Sequence, residues 1–307
     1  MDSTLNSILP DGEGAKVGEH FYKVSQSMLQ GRSSRENSQS NSKSNFSLPL
    51  KSAASILLAI GAIRFPSILA RIIMGGVTTL GTLLSLMYLS RSFQQYVVSM
   101  FQPAVMKGLH KDIREIKKEL LKGMKGSVLD FGCGDGLYIR DIANAKDVTS
   151  VMSLEPNANL HENIRITAEK YGVTTEIYPK FSSQLLAERG EELFDFVIIG
   201  NVLCEVPNQE SVLDDVYRLL KPEGIVYFVE HVACVAGSET RQFQDMINPL
   251  WKTVSGGCNC NRETLKEIWK KKWQLFAWEV KTSGPWFINR IHLGLAMKPK
   301  VGTEARL

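Results

Sequence analysis

Residues 128–137 read Val-Leu-Asp-Phe-Gly-Cys-Gly-Asp-Gly-Leu, an apolar run ending near Asp130 that passes into three alternating glycines. Three glycines in five positions suit a chain that must turn sharply and let a ligand approach its backbone, because glycine has no Cβ to block the way. The segment therefore reads as a buried strand, a ligand-binding turn and the start of a helix. A dinucleotide fingerprint would place its third glycine at position 137, which is Leu. Asp130 points the same way: a carboxylate there repels a pyrophosphate and attracts an ammonium or sulfonium group. About 19 residues beyond Gly136, Glu155 closes the apolar run 151–154 and is placed to accept hydrogen bonds from both hydroxyls of a ribose.

From residue 127 onward, short apolar runs alternate with helical segments. Runs at 128–131, 148–154, 173–178, 194–199 and 225–229 read as buried strands, separated by helical intervals such as 158–171 and 209–220. Residues 273–280 and 288–297 add two closing strands. Regular alternation requires crossover connections, which predicts an α/β, doubly wound, mostly parallel seven-stranded sheet over 127–300, with helices on both faces. Residues 301–307 form a short tail.

The N-terminal part has a different chemistry. Residues 1–45 are rich in Ser, Asn and Gln and cannot bury enough apolar surface to offset ordering entropy, so they are expected as a disordered polar tail. Residues 46–92 are hydrophobic, with uncharged stretches at 52–63 and 72–90 separated by Arg64, Pro66 and Arg71. The second stretch spans about 28 Å as a helix, close to the hydrocarbon thickness of a bilayer, so the segment is expected to associate with membrane lipids as a transmembrane or hairpin anchor. Residues 93–126 read as a basic helical linker. Positions 51–126 hold 11 basic and 3 acidic side chains, whereas 127–307 hold 20 and 24. Basic residues just after the anchor favour a cytoplasmic C-terminal side, and the acidic C-terminal part argues against nucleic acid. Five scattered cysteines argue against a disulfide scaffold and for a reducing compartment.

The strand, Asp130, Gly132, Gly134, Gly136 and Glu155 together resemble the class I S-adenosylmethionine-dependent methyltransferases, over roughly residues 125–298. The segment 194–201 and the Leu-Leu-Lys-Pro-Glu-Gly turn at 219–224 resemble two further landmarks of that fold. The resemblance implies S-adenosyl-L-methionine as cofactor and a site lined by Asn201 and Val202 after the fourth strand. The acidic residue usual after the third strand is replaced by Phe-Ser-Ser-Gln at 181–184, which assigns adenine recognition to Ser182 and backbone groups.

Narrower strings are similar to the membrane-associated, methyltransferase-like thiol S-methyltransferases: Leu-Cys-Glu-Val at 203–206, Glu230-His231-Val232, Asn-Pro-Leu-Trp at 248–251, Gly257-Cys258-Asn259, Arg262-Glu263, and Arg290 with His292. That family is held on endoplasmic reticulum and lipid droplets by a hydrophobic N-terminal segment, which implies a small, lipophilic thiol acceptor. A lipid, quinone or other oxygen or carbon acceptor is an alternative that the fold alone leaves open, as is a catalytically silent membrane adaptor. The tail 1–45 and Glu155, where Asp is usual, depart from the family. His231, just past the fifth strand, is the candidate to take or orient the thiol proton. Cys204 and Trp251 are candidates for the acceptor pocket. Cys258 and Cys260, two thiols without a matching pair nearby in sequence, are no zinc signature, so no metal is expected.

Overall fold

The computed structural model describes residues 68–271 and 273–300. The expected tail 1–45, the apolar stretch 52–63 and the tail 301–307 lie outside the described residues. The chain divides into two units that meet between Gln94 and Gln95.

In the first unit, α1 (Ile68–Leu89) is one continuous helix in which Arg71 lies within the first turn. Its residues Ile72–Leu89 form a span long and apolar enough to cross a membrane, by length and composition. Ile72, Ile73, Val77, Leu80 and Leu89 are exposed. The hydroxyls of Thr78, Thr79 and Thr82 donate to the carbonyls one turn back, at Met74, Gly75 and Thr78. These three threonine hydroxyls are thus satisfied within the helix itself. Helix α2 (Arg91–Asp112) follows.

The second unit continues with α3 (Arg114–Leu121), β1 (Lys125–Phe131), α4 (Ile139–Ala143), β2 (Asp147–Leu154), α5 (His161–Tyr171), β3 (Glu176–Tyr178), α6 (Ser182–Arg189), β4 (Phe194–Gly200), α7 (Gln209–Leu219), β5 (Leu220–His231), α8 (Glu239–Val254), α9 (Thr264–Trp269), β6 (Gln274–Lys281) and β7 (Arg290–Met297). The seven strands lie in the order β3-β2-β1-β4-β5-β7-β6. Only β7 runs antiparallel to its neighbours. This is the doubly wound sheet that the alternation of runs predicts. β3 is shorter than the apolar run 173–178, and β5 is longer than 225–229.

Period-two alternation divides the core between two faces. Leu129, Phe131, Val197 and Ile199 pack on one face with Leu185, Leu213, Val216 and Leu265 from α6, α7 and α9. Val128, Phe196, Ile198, Tyr227 and Val229 pack on the other. Part of the expected linker 93–126 packs on that second face. Ile113, Leu120, Leu121 and Met124 belong to its core, and Lys117 is buried against Asp141 at 2.7 Å with its ammonium 5.1 Å from the Tyr138 ring centroid. The basic charge of the stretch drew attention to its outer face, while positions 113, 117, 120, 121 and 124 carry a helical inner stripe.

Leu120→Ala is therefore expected to lower the unfolding free energy of the full chain by about 2–4 kcal/mol. Denaturant unfolding followed by fluorescence checks this, and an unchanged midpoint would place the segment outside the cooperative unit.

Candidate cofactor and acceptor site

The carboxyl edge of the parallel strands gathers the residues that the sequence singles out. β1 carries Asp130 into the middle of the sheet, where it is buried and its Oδ2 finds no hydrogen-bond partner. The turn that follows is tied to β2, because the amides of Gly132 and Cys133 donate to the Leu154 carbonyl at 2.8 and 3.3 Å. Gly132, Gly134 and Gly136 all adopt left-handed backbone, with φ of +63°, +59° and +81°. A Cβ at Gly132 would stand 2.7 Å from Val202 Cγ2, and one at Gly136 would stand 2.5 Å from Ile139 Cδ1. At Gly134 a Cβ would meet nothing within 4 Å. Two glycines thus let the loop pack, and the third leaves its backbone open to a ligand.

Glu155 stands at the end of β2 and accepts hydrogen bonds from Gly134 N at 3.0 Å through Oε2 and from Asn157 N at 2.8 Å through Oε1. Its carboxylate therefore braces the glycine turn, with lone pairs left for other donors. Burial raises its pKa to about 7. Burial, and then the nearby carboxylates of Glu155, Asp141 and Asp135, raises Asp130 to about 8. Two buried carboxyls whose ionised forms burial makes costly, one of them with an oxygen that has no partner, make a cradle that fits a cation. The sulfonium and ammonium of S-adenosylmethionine meet that requirement.

Asn201, at the end of β4, has φ +56°, an uncommon backbone conformation that Asn tolerates better than most residues. Its Oδ1 is buried without a partner, and its Nδ2 lies 3.4 Å from His110 Nε2. Val202 packs against the glycine turn. Ser182 is buried at the start of α6, and its hydroxyl donates to Asp215 Oδ2 at 2.7 Å. No described contact links Ser182 to the glycine turn.

Beyond Asn201, one loop is clamped from both sides. The buried Glu230 carboxylate accepts from Val202 N at 2.7 Å and Leu203 N at 2.8 Å through Oε1, and from Cys204 N at 3.2 Å through Oε2. Burial holds its pKa up at about 7 against the pull of these amides and of His231. On the carbonyl side, Arg262 donates to Leu203 O and Val206 O at 2.6 and 2.5 Å, and Asn259 donates to Cys204 O through both Nδ2 and its amide, each at 2.9 Å. Glu230, Asn259 and Arg262, quoted above only as parts of strings, are the residues that fix this loop.

The clamp brings Cys204, His231 and Cys258 together, the first two buried and Cys258 half-buried, with their Sγ and ring nitrogen atoms within 4.8 Å of one another. His231 Nε2 lies 2.8 Å from Cys258 Sγ, and Trp251 Nε1 donates to the same sulfur at 3.3 Å. Burial pushes the Cys258 thiol up, but the Cys204 hydrogen bond and the His231 charge outweigh it and pull the thiol well below its ordinary range. Burial pushes His231 down, and Cys258 and Glu230 more than reverse it. Cys258 was not among the expected site residues, and its position between Gly257 and Asn259 carries no chemical signal. Cys260, its neighbour in sequence, faces Gln244 O and Asn248 Oδ1 instead, at 3.5 Å each. Trp251 also packs edge-on against Phe287, with centroids 5.2 Å apart. His292 and Arg290 both bond Glu279, at 3.3 and 2.6 Å, and serve the sheet.

Two outcomes follow from these buried carboxyls. Asp130, Glu155 and Glu230 bind protons more tightly folded than unfolded, so the stability they contribute is complete below about pH 4 and is lost as pH rises from there through about 7 to 8. Between about pH 5 and 8 the melting temperature of the ligand-free chain should fall, and fall less in Asp130→Asn; equal slopes in a thermal scan would contradict the assignment. Glu230→Ala strands three buried amides and should cost about 3 kcal/mol or more in denaturant unfolding.

A sequence profile described as a methyltransferase domain matches residues 106–272. Thiol S-methyltransferase TMT1B of Rattus norvegicus is 31% identical over 170 residues, covering 52% of this chain and 68% of the relative. Thiol S-methyltransferase TMT1A of Homo sapiens is 30% identical over 177 residues, covering 57% and 71%. A ubiquinone biosynthesis O-methyltransferase of Pseudomonas entomophila (strain L48) is 31% identical over 153 residues, covering 42% and 63%. Among solved structures, an O-methyltransferase family protein from Burkholderia thailandensis superposes with a TM-score of 0.52 at 14% identity, over 66% of this chain and 59% of that one, which speaks to the fold alone. With the glycine turn, the buried carboxyl cradle and this profile in agreement, the chain belongs to the methyltransferase domain family, as a class I S-adenosylmethionine-dependent methyltransferase similar to the thiol S-methyltransferases.

Proposed function

We propose that this methyltransferase is membrane-associated and methylates a small, lipophilic thiol. The observation that carries the reading is the Cys204, His231 and Cys258 cluster at the carboxyl edge of the sheet, where acceptors collect in such folds. When bound, S-adenosylmethionine supplies an electrophilic methyl group on a sulfonium. Asp130 and Glu155 would hold its cationic and ribose portions, the turn at Gly132, Gly134 and Gly136 would pass along it, Asn201 and Val202 would line it, and Ser182 would lie toward its adenine.

The chain's own chemistry is to hold and deprotonate the acceptor. A free thiol is only a few per cent thiolate at neutral pH, and the thiolate is the nucleophile. His231, beside Cys258, takes or orients the acceptor's proton. Overall, the acceptor's S–H bond and the cofactor's methyl–sulfonium bond would break, a methyl–sulfur bond to the acceptor would form, and one proton and the demethylated cofactor would leave.

Lipophilic acceptors fit the surface nearby. Met246 and Leu250 of α8 and Trp286 are exposed, and Phe243, Trp286, Phe287 and Trp251 form a connected series of aromatic contacts. Helix α1 would hold the chain on endoplasmic reticulum or lipid droplets with the catalytic unit facing the cytoplasm. Removing 68–89 should then shift the protein from the membrane pellet to the supernatant on fractionation.

Methyl transfer from labelled S-adenosylmethionine tests the acceptor, with small alkyl thiols set beside matched alcohols, phenols and quinols. The expected result is labelled thioether, lost in Gly134→Trp. Label on a quinol or phenol alone would favour an oxygen acceptor, in line with the ubiquinone biosynthesis relative, and absence of both transfer and cofactor binding would favour an adaptor. Cofactor affinity should rise between pH 6.5 and 8.5 as Asp130, raised to about 8, gives up its proton. Asp130→Asn should flatten that rise and weaken binding about 100-fold by calorimetry.

A further inference from the structure

We propose that Cys204, His231 and Cys258 form a binding site for one soft divalent cation, zinc in the first instance, with a fourth position for the acceptor's sulfur; that last part rests on the thiol reading above.

The donor set decides the class of ion. Two thiols and an imidazole suit zinc and exclude magnesium or calcium, which take oxygen ligands. Three protein ligands with one open position is the arrangement of catalytic rather than structural zinc sites, and two cysteines with one histidine is among its known forms.

Geometry agrees with the donors. With metal–sulfur bonds of about 2.3 Å and metal–nitrogen bonds of about 2.0 Å, tetrahedral ligands stand roughly 3.5 to 3.8 Å apart. The three atoms lie within 4.8 Å of one another, and the His231–Cys258 separation of 2.8 Å would open by roughly 0.7 Å to meet the tetrahedral spacing. The ligands come from three separate segments, the β4–α7 loop, the last residue of β5 and the α8–α9 connection, so the sheet brings them together.

The two sulfur ligands are also held from behind, while His231 Nδ1 is buried without a hydrogen-bond partner. Cys204 is fixed at its amide by Glu230 and at its carbonyl by Asn259. Cys258 receives the Trp251 indole N–H at 3.3 Å, and His231 is locked in the β5–β7 ladder opposite Ile291. Cys260, whose spacing to Cys258 suggests a pair in the sequence, is turned toward Gln244 and Asn248 and takes no part.

The chemistry would serve thiol activation directly. A thiol bound to such an ion loses its proton outright: the S–H bond breaks, the proton leaves to solvent, a metal–sulfur bond forms and a bound water departs. In the loaded protein His231 Nε2 is a ligand to the ion.

Cobalt(II) titration of the reduced, chelator-treated full chain in detergent tests this without relying on turnover. The expected result is one equivalent bound, with sulfur-to-metal charge transfer in the near ultraviolet and tetrahedral bands in the visible. Cys204→Ser and Cys258→Ser should each lose about half of the charge transfer, and Cys260→Ser should lose none. An alkyl thiol should shift the visible bands, and the matched alcohol should not. Metal analysis of the unmodified chain as purified should give about one zinc per chain, which guards against a variant that fails to fold. Absence of stoichiometric uptake, or uptake that all three serine variants share, would overturn the site, even if thiols are methylated at full rate by the metal-free protein. Stoichiometric uptake with bands indifferent to thiol would overturn the acceptor's place on the ion, while transfer to thiols in the labelled assay decides the thiol reading separately.

Discussion

The acceptor edge of this protein depends on one buried carboxylate. Glu230 sits at the penultimate position of β5, excluded from solvent, and accepts the amides of Val202, Leu203 and Cys204 in succession. A charge so placed is costly unless its lone pairs are satisfied, and three backbone donors satisfy them only while the loop keeps one conformation. The same loop sets Asn201 in its left-handed conformation, Val202 against the glycine turn and Cys204 beside His231. Fixing one loop thus fixes both the packing on the glycine turn, through Val202, and the neighbourhood of His231, through Cys204.

The cofactor side follows the opposite logic. Glu230 is satisfied within the chain, whereas Asp130 Oδ2 finds no partner. Burial next to Glu155 makes the ionised form of Asp130 expensive, and that expense is recovered when a cation arrives. Stability withheld from the ligand-free protein is in this way available to ligand binding, a common feature of sites whose ligands carry the complementary charge.

How far the sequence could be read depends on whether the chemistry lies along the chain or across it. The glycine turn, Asp130 and the strand pattern are local, because backbone conformation and period-two burial are written in consecutive residues. The parallel sheet was legible for the same reason. Cys258 and His231 lie 27 residues apart and meet only because β5 and the α8–α9 connection end at the same edge, so no spacing rule connects them. The adjacent Cys258 and Cys260 point to different partners, which shows why a short Cys-x-Cys is a poor guide. In the segment 93–126 charge dominates the composition, and the helical stripe of Ile113, Leu120 and Leu121 that packs into the core is harder to read beneath it.

The central claim is that the cofactor cradle and the sulfur–imidazole cluster are two halves of one thiol-methylating site. The most direct test is the kinetics of Cys258→Ser set against its cofactor affinity. The account predicts an unchanged Kd for S-adenosylmethionine together with a fall of at least about 100-fold in kcat/KM for thiol acceptors, equivalent to about 2.7 kcal/mol of transition-state stabilisation. Thiol turnover at the unmodified rate, with cofactor binding intact, would contradict it.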